Sequence, residues 1–341
     1  MAISGACRME PPPATEREPP PNPTVQRKAE APTAPAVPKA EALEVPSLPA
    51  RFPAPPRLMA LGDVHGDLRA TRQALRLTGA IDAKDHWVGE SLVVVQTGDQ
   101  LDRGDDEQEI LDLFDRLRVE AAAAGGAFHA LLGNHELMNA LGDLRYVTPG
   151  GFRDFEGIEG LDLDDATLQK LPPEARARMA AFRPGGPYAT MIAHRNTAVV
   201  VGDSVFVHGG VLPQHVPEGV ASLEAHNAEV RGWLVGRNDG SKLEPHVLGR
   251  EGMVWTRMYA RDDAEACGLL DEALERLEAK RMVVGHTVQE KGITSACDGK
   301  VWRIDVGMAA HYGGAVQVLL IEGDRVEVLS LEGAAQQGPA Q

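Results

Sequence analysis

LVVVQTGDQLDRG, residues 92–104, is the stretch of sequence that decides the fold. Its first half is an apolar run rich in β-branched valine, which is typical of a strand buried on both faces. The run stops at Gly98, and the residues that follow are charged and flanked by glycine. A buried strand that leads into a charged loop places polar side chains at one edge of a sheet, where α/β proteins bind ligands.

Two further segments have the same organisation. An apolar strand over 57–62 (RLMALG) leads into GDVHG (62–66), and another over 127–132 leads into GNHE (133–136). Between the strands, apolar residues recur at helical spacing over 68–77 and 110–119. Alternating short strands and helices predict an α/β fold with a largely parallel sheet, so we expect the three loops to meet in one crevice.

The second half of the chain predicts another sheet. We expect strands over 198–201, 205–208, 282–285, 301–306 and 316–321, with HGG (208–210) and GHT (285–287) at the ends of two of them. Several of these strands have no helix between them, which indicates a mixed sheet. The sequence therefore predicts an α/β fold of four α/β-β/α layers, with two packed mixed sheets and an irregular insertion over roughly 144–196.

The termini differ from this body in composition. Residues 1–57 contain 15 of the 24 prolines and have a net charge of +1. The whole chain has a net charge of −16, so the remainder has a net charge of −17. We predict disordered segments over 1–56 and 333–341, and one catalytic domain over 57–332. The acidic body argues against a nucleic-acid partner, and no apolar run reaches the ~18 residues of a transmembrane segment.

The three cysteines, Cys7, Cys267 and Cys297, are far apart in the sequence and imply no disulfide framework. The expected location is cytoplasmic. A lipid anchor on Cys7 or a periplasmic location is the alternative if a signal precedes Met1.

The loops after the strands are rich in Asp, His and Asn. These oxygen and nitrogen donors suit manganese, iron or zinc rather than copper–thiolate chemistry. They outnumber the ligands that one ion needs, and a carboxylate can bridge two ions about 3.5–4 Å apart at a site for phosphoryl transfer. The residues alone therefore predict a two-metal site for phosphate chemistry.

The motifs GDVHG, GDQLDRG, GNHE, HGG and GHT, in this order, resemble those of the calcineurin-like metallophosphoesterases and of their phosphoprotein-phosphatase branch. Finer features over 142–147 (GDLRYV), 255–257 (WTR) and 305–308 (DVGM) are similar to the Shewanella-like bacterial protein phosphatases. The resemblance implies a phosphomonoesterase that hydrolyses phosphoprotein, at Ser/Thr or Tyr, through a hydroxide that bridges two divalent metal ions. Manganese is the expected metal, with iron or zinc as alternatives.

The resemblance also implies roles for individual residues. The implied metal ligands lie in the five motif loops: Asp63 and His65 for the first ion, Asp99 between the two, and Asn134, His208 and His286 for the second. The residues implied to act on the substrate are His135 as the acid that protonates the leaving oxygen, Asp102 as the group that orients it, and Arg103 and Arg257 as phosphate ligands.

Two departures from the family patterns bear on the substrate. GHT is followed by Val288 and not by the second His that many phosphoesterases of the superfamily carry, which favours the phosphoprotein-phosphatase branch. The Ser-Ala-Pro-Asn-Tyr segment of eukaryotic Ser/Thr enzymes is absent, so Ser/Thr or Tyr specificity stays open. The alternatives are a nucleotide or dinucleoside-polyphosphate hydrolase on the same scaffold, and a catalytically inactive scaffold that binds phosphorylated partners.

Overall fold

The computed structural model describes residues 44–331. Its strands are β1 (Arg51–Phe52), β2 (Leu58–Leu61), β3 (Val93–Gln96), β4 (Ala127–Ala130), β5 (Ala198–Val201), β6 (Ser204–Val207), β7 (Arg281–Val284), β8 (Thr294–Ala296), β9 (Val301–Arg303), β10 (Gln317–Glu322) and β11 (Arg325–Ser330). Its α-helices are α1 (Leu68–Thr78), α2 (Glu107–Ala123), α3 (Asn134–Leu141), α4 (Pro149–Asp154), α5 (Pro173–Phe182), α6 (Pro187–Ile192), α7 (Val220–Leu234) and α8 (Ala264–Arg276).

One sheet has five strands in the order β11-β10-β2-β3-β4. β2, β3 and β4 are parallel, and β10 runs antiparallel to β2 and to β11. α1 and α2 connect the three parallel strands, because a parallel pair needs a crossover connection. The parallel arrangement predicted for the first three strands is therefore confirmed.

The other sheet has six strands in the order β1-β5-β6-β7-β9-β8. β6, β7 and β9 are parallel, whereas β5 and β6 form an antiparallel hairpin. The turn of this hairpin contains Gly202 at φ 60°, a left-handed conformation that glycine adopts without steric cost. Both sheets are thus mixed, as predicted.

Alternate residues of β2 face different layers of the molecule. Leu58 and Ala60 pack in an inner cluster that also contains Phe206 from the six-stranded sheet. Met59 and Leu61 face the other way and pack with apolar residues of α1 and α2. A further cluster joins β5, β6 and β7 to α7 and α8. The two sheets therefore pack face to face with helices outside, and the predicted four-layer α/β fold is confirmed.

The N-terminal boundary predicted at residue 56 is wrong. Arg51 and Phe52 form β1, which pairs with β5, and the Phe52 ring centroid lies 4.3 Å from that of His129. Prolines on both sides do not prevent this pairing, because β1 is a short strand at the sheet edge. Residues 1–43, and the predicted tail over 333–341, lie outside the described residues.

The structure contains a disulfide that the number and spacing of the cysteines do not indicate. Cys267 in α8 and Cys297 after β8 form a disulfide, with Cα atoms 5.3 Å apart. The two are 30 residues apart in the chain and are brought together only by the fold. Cys7 lies outside the described residues. None of the helices between residues 44 and 331 is long and apolar enough to span a membrane.

Candidate active site

Five loops at the carboxyl ends of strands bring the predicted metal ligands together. In the five-stranded sheet, β2 leads to Asp63, β3 to Asp99 and β4 to Asn134. In the six-stranded sheet, β6 leads to His208 and β7 to His286. Parallel strands end at the same edge of their sheet, so each sheet delivers its ligands to one place.

The backbone of these loops is held in an uncommon conformation. Asp99 has φ 58°, His65 has φ 42° and His286 has φ 66°, all in the left-handed region that residues other than glycine rarely adopt. Such conformations cost free energy and cluster at functional sites. The adjacent chains also approach closely, because a Cβ atom added to Gly285 would lie 2.4 Å from Asp63 Oδ1.

The Asp99 carboxylate is the centre of the cluster. Its Oδ2 lies 3.1 Å from His208 Nε2 and 3.7 Å from both His65 Nε2 and His135 Nε2. His208 Nε2 in turn lies 2.9 Å from Asn134 Oδ1. Two groups of possible metal ligands therefore share Asp99. The first consists of His65, Asp99 and His135, and the second of Asp99, His208 and His286.

The donor atoms of this cluster fit metal ions. His208 Nδ1 donates to the Thr97 carbonyl at 3.0 Å, and His65 Nδ1 donates to the Leu101 carbonyl at 2.9 Å. A hydrogen bond at one ring nitrogen fixes the tautomer and leaves the other nitrogen free to bind a metal. His208 Nε2 and His286 Nδ1 lie only 3.1 Å apart, so a shared cation would stabilise two nitrogens that both point inward.

The pKa shifts of the cluster also fit bound cations. Burial, then repulsion from Asp305 and Asp99, raises the pKa of Asp63 well above its usual range. Burial lowers the pKa of His65 to about 3 and lowers the pKa of His286 well below its usual value. Neutral imidazole is the form that binds metals, and crowded buried carboxylates are stabilised by a cation.

Glu136 holds the loops that carry Asp99 and Asn134. Its carboxylate accepts hydrogen bonds from four backbone N–H groups, those of Gly133, Gln100, Asp99 and Leu101, at 2.7, 2.8, 2.9 and 3.2 Å. The side chain is fully buried at the first turn of α3. One carboxylate therefore joins the loops after β3 and β4.

His135 lies beside the cluster with a carboxylate behind it. Its Nδ1 is 2.5 Å from Asp102 Oδ2, and Asp102 Oδ1 accepts from Asn139 Nδ2 at 3.1 Å and from Arg178 Nη2 at 3.2 Å. Burial lowers the pKa of His135, but the Asp99 charge and the bond to Asp102 outweigh burial, so this pKa lies above its usual value. Arg178 is fully buried and also pairs with Glu107.

The two predicted phosphate ligands differ in their surroundings. The Arg103 guanidinium carbon lies 5.1 Å from the ring centroid of Tyr146 and 5.0 Å from that of Tyr312, close enough for cation–π attraction. Arg257 is exposed, and its Nη1 donates to the His286 carbonyl at 2.9 Å and to Thr287 Oγ1 at 3.0 Å. Arg103 also lines an open cleft of about 680 Å³ beside His65.

The family model described as calcineurin-like phosphoesterase matches residues 56–290. The chain belongs to the calcineurin-like phosphoesterases. Members of this family bind divalent metals and hydrolyse phosphate esters, so the family and enzyme class predicted from the motifs are confirmed.

Individual relatives are protein phosphatases of the Shewanella-like group. The chain is 41% identical to Shewanella-like protein phosphatase 2 of Arabidopsis thaliana, over 81% of this phosphoesterase and 78% of the plant protein. It is 28% identical to Shewanella-like protein phosphatase 1 of Plasmodium berghei, over 75% and 69% of the two chains. Among solved structures, the cold-active protein-tyrosine phosphatase of a psychrophilic Shewanella has a TM-score of 0.65 at 26% identity, with 84% of this chain and 81% of that chain covered.

Some residues of the phosphoesterase site carry no recognisable signal in the sequence. Arg178 lies in α5, within the predicted insertion, and its partner Asp102 is 76 residues away along the chain. Asp305 belongs to a segment used for the family resemblance, yet its 1% exposure and its charge next to Asp63 emerge only from the fold. Glu136 could have been found, because Glu three residues after a helix N-cap is a capping signal.

Proposed function

We propose that this phosphoesterase is a dinuclear metal-dependent phosphomonoesterase that acts on phosphoproteins. The observation that carries the proposal is the convergence of carboxylate, imidazole and amide donors on Asp99 Oδ2, with the His135–Asp102 pair 3.7 Å from the same oxygen. A cluster that binds metal and an adjacent protonated imidazole together supply what hydrolysis of a phosphate ester requires.

Six residues are proposed as metal ligands, with manganese as the preferred ion: Asp63 and His65 for the first ion, Asp99 for both, and Asn134, His208 and His286 for the second. When bound, the two ions would lower the pKa of a water molecule and neutralise charge on the phosphate. The protein contributes a buried set of donors, in which the distal nitrogens of His65 and His208 and the backbone N–H of Asp99 are already hydrogen-bonded.

His135 is proposed as the general acid. The Asp102 carboxylate at Nδ1 keeps the ring charged and fixes its orientation, so that Nε2 carries a proton toward the cluster. A proton donated to the leaving oxygen matters most for serine, threonine and alkyl alkoxides, which leave poorly.

Arg103 and Arg257 are proposed to bind the phosphate oxygens. A planar guanidinium can donate two parallel hydrogen bonds to a phosphate, which lysine cannot do. The contacts of Arg103 with the rings of Tyr146 and Tyr312 limit its side-chain freedom, so little conformational entropy is lost when phosphate binds.

A phosphoprotein substrate is supported by the names of the relatives and by the cleft. The cleft of about 680 Å³ beside Arg103 is open enough for a phosphorylated side chain on a folded protein. The charged side chains of its lining balance, so the cleft lacks the net positive charge that would favour a polyphosphate chain: Asp67, Asp105 and Asp106 against Arg69, Arg103 and Arg153.

The proposal is tested by turnover of matched substrates. Purified protein loaded with Mn²⁺ would be assayed on phosphoserine, phosphothreonine and phosphotyrosine versions of one peptide and on diadenosine tetraphosphate, with metal content measured on the same sample. We expect turnover of at least one phosphopeptide and about two metal ions per chain. Turnover of diadenosine tetraphosphate alone would instead support the nucleotide alternative, and one ion per chain would contradict the dinuclear site.

The cytoplasmic location predicted from the sequence stays a prediction. The Cys267–Cys297 disulfide favours the periplasmic alternative, because disulfides persist mainly in oxidising compartments. Fractionation of cells that express the full natural gene would distinguish the two.

A further inference from the structure

A second cavity lies away from the catalytic cluster, where the β4 edge of one sheet meets the β1–β5 end of the other. Its volume is about 210 Å³. Most of its wall is apolar, and the larger side chains that form this wall are Leu48, Phe52, Phe114, Phe128, Leu131 and Val199. A cavity of about 150 Å³ lined by apolar side chains in another protein binds benzene, so this one has room for a substituted aromatic ring or a short alkyl chain.

A buried arginine in the cavity wall has a hydrogen-bond donor without a partner among the described residues. Arg195 is only 6% exposed and lines the cavity. Its Nη1 donates to Gln100 Oε1 at 2.6 Å, whereas its Nη2 is buried and finds no hydrogen-bond partner within residues 44–331. A buried guanidinium nitrogen without a partner is costly, and such a group indicates a ligand or an ordered water.

The charge of Arg195 is present at neutral pH and is attracted chiefly by Glu136, a buried carboxylate outside the cavity wall. Burial lowers the pKa of Arg195 to about 10, which still leaves the side chain protonated at pH 7. The other arginine of the wall, Arg118, is already paired with Asp115 at 2.9 Å. Among the charged side chains of the wall itself one positive charge is therefore in excess, which a ligand with one negative charge would balance and a dianion would exceed.

From this combination we propose that the cavity binds a small monocarboxylate with a compact apolar body. The carboxylate would accept from Arg195 Nη2, and the apolar body would pack against the phenylalanine and leucine side chains of the wall. Neither contact involves the catalytic cluster, so the proposal does not depend on the proposed function.

The proposal also gives Arg195 a connection to the active-site loops. Gln100, which receives the Nη1 bond, donates to the carbonyl of Leu131 at 3.0 Å and to the side chain of Gln96. Gln96 in turn donates to the carbonyl oxygens of Gly62 and Gly98 at 3.0 and 2.6 Å. These glycines directly precede Asp63 and Asp99, so the occupant would contact a network that supports both ligands.

Binding would be measured by isothermal titration calorimetry on the full chain, with 3-phenylpropionate as the probe and 3-phenylpropanamide as its uncharged counterpart. We expect the acid to bind at least tenfold more tightly than the amide, because a hydrogen bond between two charged groups is stronger than one from a charged group to a neutral amide. The Arg195→Met variant should lose that preference, and Arg116→Met, which removes an arginine on α2 outside the cavity, should retain it. Equal binding of acid and amide, or acid binding that survives in Arg195→Met, would overturn the proposal.

A second pair of variants keeps Arg195 and so protects the test against misfolding. Ala122 is an exposed residue of α2 in the cavity wall, and Ala123 is its exposed neighbour outside the wall. Ala122→Phe should fill the opening and weaken 3-phenylpropionate binding by at least tenfold, whereas Ala123→Phe should leave it within twofold. Equal binding to both variants, or tighter binding of inorganic phosphate than of the carboxylate, would contradict a carboxylate cavity.

Discussion

At the two ends of the cluster around Asp99, the pKa values of two buried histidines are shifted in opposite directions. At one end, Asp102 lies 2.5 Å from His135 Nδ1, and the pKa of His135 lies above its usual value. At the other end, burial together with the charges of His208 and Arg257 lowers the pKa of His286 well below its usual value. The two rings are 3% and 8% exposed, so burial does not distinguish them.

The two pKa shifts differ because the ring nitrogens have different neighbours. His135 meets a carboxylate that is itself fixed by Asn139 and Arg178, so a proton on the ring is stabilised. His286 Nδ1 faces another imidazole nitrogen, so a proton there is not stabilised and the lone pair remains free for a metal. The role of a buried histidine is therefore set by its partners and not by its depth.

The change expected to have the largest effect removes the carboxylate that both ends share. In Asp99→Asn, both groups of possible ligands lose their common negative charge, so metal content and p-nitrophenyl phosphate turnover should fall together, turnover by at least about a thousandfold. Metal analysis and initial rates on the same preparation check this. Asp271→Asn, an exposed surface change, is the control, and an Asp99→Asn protein with unchanged turnover would remove Asp99 from the proposed site.

The next prediction separates the acid end from the metal end. His135→Ala should retain metal but hydrolyse phosphoserine peptide about a thousandfold more slowly, whereas p-nitrophenyl phosphate, whose leaving group needs no proton, should slow far less. Rates on both substrates and metal content measure the split, with His86→Ala as the control. Equal slowing of the two substrates would remove the assigned role of acid.

The third prediction concerns Arg178, which contacts the carboxylate behind His135, and its effect on the free energy of unfolding. Arg178→Met leaves the buried carboxylates of Asp102 and Glu107 without their cation, and we expect the free energy of unfolding to fall by about 3 kcal/mol. Urea denaturation measures this, with Arg176→Met on the same helix as the control. If the two variants have equal stability, the buried pairs do not stabilise the fold.

The smallest expected effect concerns a histidine that has no carboxylate partner and lies outside the cluster. Burial lowers the pKa of His129 to about 4. Below pH 6.5 His129 is therefore protonated in the unfolded chain but not in the folded chain. The free energy of unfolding falls as the pH falls, by about 2 kcal/mol between pH 6.5 and 5.

His129→Phe should remove this part of the pH dependence. Urea midpoints at pH 7 and pH 5 would be compared for the variant, for the unchanged protein and for the exposed-site control His86→Phe. A pH dependence in His129→Phe equal to that of the unchanged protein would show that burial alone does not keep this ring neutral.

The sequence predicts the ligand loops well because each is a local pattern, an apolar strand followed by a glycine-flanked charged loop. It predicts the supporting residues poorly, because their partners are distant in the chain. Glu107 and Arg178, for example, are 71 residues apart, and nothing in either neighbourhood indicates the pairing. The Cys267–Cys297 bond was missed for the same reason.

The strands missed by the sequence are short or lie at sheet edges. β1 has two residues and β8 has three, too few for a periodic pattern to be recognised. β11 is an edge strand with no fully buried residue, so its apolar alternation is weak. Edge strands gain less from burial than central strands, and their sequences are correspondingly less distinctive.

Glu136 has a consequence for when the metal site is formed. One carboxylate accepts hydrogen bonds from four N–H groups of two loops, so contacts within the chain itself hold Asp99 in position. The entropy of ordering these loops is lost during folding, and little of it remains to be lost when metal arrives. At the proposed metal site the protein therefore presents a preorganised set of donors.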